Sequence, residues 1–113
     1  MKNYVSKYQE LTAQMKKMGA EIPETMKGFS SLHQASMADG VLSSKNKELI
    51  ALAIAIAVRC DGCIAFHIHD ALETGASEQE ILETIGVAIC MGGGPAVVYG
   101  CEALTALEQF TNK

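Results

Sequence analysis

Ten consecutive apolar residues, Leu49 to Val58, constrain this chain more than any other part of its sequence. A membrane-spanning helix needs about 20 such residues, so the run is too short to cross a bilayer. Alanine alternates with isoleucine along it, and no polar stripe marks a solvent side. A helix that is apolar all round must be covered all round. A chain of 113 residues has little interior in which to surround one helix completely. The expectation is a homo-oligomer, with this helix and the fifth and sixth contributing to its interfaces. The alanines would let neighbouring helices approach closely.

The rest of the chain is also helical in period. Tyr4, Val5, Tyr8, Leu11, Thr12, Met15 and Met18 recur at three- and four-residue steps, forming one face that ends near Gly19. Pro23 suits the first turn of a second helix, which carries Met26, Phe29, Leu32 and Met37 and stops around Asp39-Gly40. Ser43 or Ser44 caps a third, from Lys45 to about Arg59. A fourth begins near Gly62 and ends at Gly75, a good C-terminal stop. Ser77 and Glu80 form a capping box for a fifth, which runs through Ile81, Leu82, Ile85, Val87 and Ile89 to the glycines at 92–94. Pro95 starts a sixth, ending near Phe110. The spacing predicts an all-α fold of about six helices in a single domain, residues 1–113.

Composition narrows the function classes. The formal net charge is −4 and no basic cluster exceeds Lys16-Lys17, which argues against a nucleic-acid or anionic-membrane partner. The first seven residues have no apolar core and no small-residue cleavage site, so a secretory signal is not expected. A cytoplasmic location follows as the expectation. In that reducing setting four cysteines read as reactive or buried thiols, not as a disulfide framework.

Two of the four form a C-x-x-C, Cys60-Asp61-Gly62-Cys63, where the fourth helix should begin. Thiolates are favoured at helix N-termini and beside a base. His67 follows Cys63 by four residues and shares its helical face. An aspartate next to Cys60 works against the thiolate by its charge. The set Cys60, Cys63 and His67 also supplies three zinc ligands, but no second Cys/His pair follows at the usual spacing. Cys90 and Cys101 lie on apolar segments and read as packing residues, as do the six methionines. His69, nearly opposite His67 on a helix, reads as a surface or interface residue, and His33 has a structural or interface role as its default.

The stretch Lys47-Glu48-Leu49-Ile50-Ala51-Leu52-Ala53, followed by Cys60-x-x-Cys63-x-x-x-His67-x-x-x-Ala71, resembles the carboxymuconolactone decarboxylase superfamily. More narrowly, it looks like the branch related to alkylhydroperoxidase D (AhpD-like). Ala38-Asp39-Gly40, Glu73-x-Gly75-Ala76-Ser77 and Gly92-Gly93-Gly94-Pro95-Ala96 extend the likeness over roughly residues 20 to 110. The resemblance implies an all-helical fold assembled into a homotrimer or homohexamer, with a site of Glu48, Cys60, Cys63 and His67 and no cofactor. It implies a thiol-dependent peroxidase or disulfide oxidoreductase. Cys63 would attack a hydroperoxide and Cys60 would resolve the sulfenic acid as a disulfide. His67 would relay the proton, Glu48 would hold the imidazole, and an external dithiol or thiol protein would reduce the pair.

Two other readings are lactone decarboxylation, which needs acid–base groups but no cysteine pair, and an oligomeric binding protein with structural or zinc-binding cysteines. Glu48 precedes Cys60 by twelve residues, about 18 Å along a straight helix. It reaches His67 only if the fourth helix folds back on the third, or if a neighbouring subunit intervenes.

Overall fold

A computed structural model describes residues 1–112. The described residues form six helices: α1 Tyr4–Glu21, α2 Pro23–Met37, α3 Ser44–Ala57, α4 Asp61–Glu73, α5 Glu78–Gly92 and α6 Gly94–Phe110. No strand occurs among the described residues, and the all-α expectation holds. Differences from the expected boundaries are small. The first helix runs two residues past Gly19, the second stops before Asp39-Gly40, and Gly92 and Gly94 join the helices that the glycine run was expected to separate.

The caps explain these limits. The side chain of Asn3 accepts the Ser6 amide to start α1, and that of Ser43 accepts the Asn46 amide to start α3. Ser77 and Glu80 form the expected reciprocal capping box at α5. The ends of α3 and α4 close in the same way. The Ala76 amide bonds to the Ala71 carbonyl with Gly75 at φ 94°, while the Cys60 amide bonds to the Ala55 carbonyl with Arg59 at φ 60°. Both helix ends fall near the expected residues, Gly75 and Arg59, but only the glycine signals a left-handed backbone in the sequence.

Leu52 and Ile56 of α3, Ile64 and Ile68 of α4 and Ile81 of α5 are fully buried. Alanines at 65, 71, 88, 96, 103 and 106 fill the spaces between the helices. Helix α3 packs on α4 and α5, and α6 packs on α4 and α5. Tyr4 anchors α1 to this core. It is wholly buried, its hydroxyl donates to Glu102 and its amide donates to Gln109 Oε1 at 2.6 Å.

The periphery departs from the sequence reading. Helix α2 buries no residue and lies on α1 and α3 only, leaving Phe29 and Leu32 exposed. None of the six methionines is buried, because each faces the rim of this chain and not its centre. Cys90 and Cys101, expected as packing residues, are exposed: they lie on the outer faces of α5 and α6, while Ala88, Ala96 and Ala103 face inward. Within one chain the apolar run is covered on one side only, so Ile50, Ile54 and Val58 stay open to solvent.

Removing the Ser77 hydroxyl takes a cap from α5. We expect Ser77→Ala to cost about 1 kcal/mol in chemical denaturation. A loss below about 0.3 kcal/mol would show that the cap carries no weight.

Candidate functional site

The site lies where α3 turns back into α4. The α3 C-terminal stop at Arg59 delivers Cys60 directly to the N-cap of α4, where its sulfur accepts the Cys63 amide at 3.2 Å. Cys60 and Cys63 stand as a disulfide with Cα atoms 5.2 Å apart, within the usual range for such a bridge. Gly62 lets α1 close over the turn, since a Cβ there would lie 3.0 Å from Leu11 Cδ1.

One turn beyond Cys63, His67 Nδ1 lies 2.8 Å from Glu48 Oε1. The fold-back that the sequence left open thus occurs within one chain. The Glu48 side chain is 6% exposed and that of His67 is 21% exposed. A buried carboxylate needs a partner, and the ring N–H of His67 supplies it. This engagement of Nδ1 leaves Nε2 as the nitrogen free to accept a proton.

Beside Cys63 and His67 is a recess of about 200 Å³, walled by Ala51, Ile54, Ala55 and Val58. Its lining is largely apolar, and two of its walls, Ile54 and Val58, belong to the exposed side of α3.

Asp61 takes a different part from the one its sequence position suggests. Lys2 donates to its carboxylate and the Lys7 ammonium lies 3.5 Å away. The hydrogen bond from Lys2 is the main cause that holds the Asp61 carboxyl below the usual range; burial opposes it, and the charges of Lys7 and Lys2 add to it. The charge expected to oppose the thiolate is already paired.

Asp70 also belongs to this region, and the sequence reading passed over it. Its carboxylate accepts from His69 Nδ1 at 2.8 Å, and donor atoms of Glu48, His67 and Asp70 all lie within 4.8 Å of one another. Its offset of three from His67 was the available signal. These atoms could approach a cation, but each histidine already faces a carboxylate, so the cluster is satisfied without one. His69 stacks on Tyr8 with ring centroids 4.1 Å apart, turned away from His67 as expected. His33 lies apart from the thiols, beside Phe29 and Met26 on the rim of a cleft under α2.

Together the fold and this arrangement define an all-helical protein with a cysteine pair at a helix start and a histidine–carboxylate pair one turn further on. The sequence profile of the carboxymuconolactone decarboxylase family matches residues 23–106, and the chain belongs to that family. An uncharacterized protein of Cupriavidus necator is 35% identical over 101 residues, covering 89% of each chain. In the cox locus of Paracoccus denitrificans an uncharacterized protein is 34% identical, covering 85% of this chain and 93% of that one.

Among solved structures, a family member from Legionella pneumophila in its apo form superposes with a TM-score of 0.92 at 47% identity, covering 96% of each chain. Another, from Thermotoga maritima, gives a TM-score of 0.84 at 29% identity over 94% of this chain and 91% of that one. For the Thermotoga protein a part in antioxidative response has been suggested.

Two stability outcomes follow. His67→Ala strands the buried Glu48 carboxylate, so we expect a loss of about 2 kcal/mol that shrinks markedly in a Glu48→Gln background. Equal losses in both backgrounds would mean that the pair does not couple. The second concerns acid. Because the Asp61 carboxyl titrates below its ordinary range, its pairing stabilises the fold above that range and is lost as pH falls through the folded value. Asp61→Asn should therefore flatten the acid limb of a stability–pH curve below about pH 4, and an unchanged limb would contradict the pairing.

Proposed function

We propose that the chain is a thiol-dependent peroxidase and disulfide oxidoreductase of the alkylhydroperoxidase D-like kind. The observation that carries this reading is one continuous helical face: a cysteine pair within disulfide reach, then a histidine held by a buried carboxylate. The suggested antioxidative part of the Thermotoga relative points the same way.

In this mechanism Nε2 of His67 takes the Cys63 proton, while Glu48 fixes the ring and balances its charge. The Cys63 thiolate attacks the terminal oxygen of a hydroperoxide. The O–O bond breaks and the alcohol leaves with the proton returned from His67. Cys63 becomes a sulfenic acid, which Cys60 attacks to form the disulfide and release water. An external dithiol or thiol protein restores both thiols by exchange and is itself oxidised. The apolar recess favours organic hydroperoxides, and no resident cofactor enters the cycle.

The same proposal includes self-association as a homotrimer or homohexamer in the cytoplasm. The exposed Ile50 of α3, Val87 and Met91 of α5 and Val97 and Val98 of α6 would be covered in it. No described helix is long and apolar enough to cross a membrane.

Cys63→Ser should reduce hydroperoxide consumption to the uncatalysed rate. Cys60→Ser should leave Cys63 as a sulfenic acid that a dimedone-type probe traps. His67→Ala should slow Cys63 oxidation by about 100-fold. Full turnover by Cys63→Ser would overturn the assigned roles.

A further inference from the structure

We propose that Lys2 and Lys7, by pairing with Asp61, set the thiol–disulfide equilibrium of Cys60 and Cys63 and bias it toward the reduced pair. This deepens the redox reading and rests on it. Asp61 lies inside the C-x-x-C, one residue from Cys60 and two from Cys63. An unpaired carboxylate there raises the energy of either thiolate and so favours the disulfide. The two ammonium groups offset it: Lys2 donates to Asp61 Oδ2, and Lys7 lies 3.5 Å from the same oxygen.

Neither lysine is placed by chance. The carbonyl of Lys2 accepts from Gln109 Nε2 at 2.8 Å, and the Tyr4 amide donates back to Gln109 Oε1 at 2.6 Å. The Tyr4 ring is buried and its hydroxyl is held by Glu102. The segment before α1 is thereby tied to α6 and laid across the start of α4. Lys7 follows one turn into α1, the helix whose Leu11 meets Gly62. The cysteine turn thus takes its compensating charge from the far N-terminus of the sequence. Arg59, the remaining cation adjacent to the pair, stays constant in the comparisons below.

Reduction breaks the Cys60–Cys63 bond with two electrons and two protons from an external dithiol, which closes to its own disulfide. A low thiol pKa stabilises the reduced side of that exchange. The Lys2 side chain is 57% exposed, so the effect should be modest and sensitive to salt.

The experiment equilibrates the full chain with a dithiothreitol redox buffer at pH 7 and low salt, and reads the reduced fraction by alkylation and mass. K2Q/K7Q should shift the equilibrium constant about two- to fivefold toward the disulfide. K2R/K7R should match the wild type. In a D61N background the K2Q/K7Q shift should vanish, and at 1 M salt it should shrink. Circular dichroism and a thermal midpoint confirm that each variant folds.

A K2Q/K7Q shift below about 1.3-fold, or one of equal size in the D61N background, would overturn the proposal while leaving the redox reading intact. A wild-type chain that forms no reversible Cys60–Cys63 disulfide would overturn both. No peroxide is present, so the outcome is independent of peroxidase activity.

Discussion

A carboxylate that is almost wholly buried requires a partner, and His67 on the facing turn of α4 supplies one to Glu48. Leaving such a group unpaired would cost about 1–3 kcal/mol or more. That requirement fixes how α4 lies against α3. With His67 docked on Glu48 at 2.8 Å, α4 runs back along α3 and the pair lies one turn of α4 beyond Cys63. The apolar partners Leu52, Ile56, Ile64 and Ile68 supply the bulk of the attraction, at about 1.5–3 kcal/mol each. They are interchangeable in chemistry; the hydrogen bond between His67 and Glu48 is not. It gives the packing a register and places a proton acceptor beside a thiol.

The helix start adds the second half of the chemistry. Cys60 is at once the N-cap of α4 and the partner of Cys63, whose free first-turn amide donates to the Cys60 sulfur. A negative sulfur is stabilised there by the helix dipole as well. Asp61 would spoil this field if it stood alone, but it is paired with lysines that arrive from the start of the chain. The site thus draws on α1, α3 and α4, although its signature is confined to one short stretch of sequence.

Much of this was legible from the residues. The helical period, the Ser77–Glu80 box and the glycine stop at Gly75 are local, and local rules found them. That Cys63 and His67 share one face follows from spacing alone. Contacts between distant residues were not legible, because no local signal encodes them. Spacing could pose the question of whether Glu48 reaches His67, but only packing answers it. The Lys2–Asp61 pair spans 59 positions and leaves no trace in any window of sequence. The end of α3 near Arg59 was expected, but not its left-handed backbone, because glycine is the usual mark of such a residue. Apolar character predicted burial for Cys90, Cys101 and the methionines, whereas a single chain this small leaves them at its rim.

The central claim is that the cysteine pair beside Glu48 and His67 is the redox centre of the chain. Cys90 and Cys101 provide an internal control, being exposed and outside that environment. Reduced protein treated with one equivalent of an organic hydroperoxide, quenched with an alkylating agent and mapped by mass spectrometry, tests it directly. The account predicts loss of two thiols as a Cys60–Cys63 disulfide, with Cys90 and Cys101 still alkylated. Oxidation falling first on Cys90 or Cys101, with Cys60 and Cys63 left as free thiols, would contradict it.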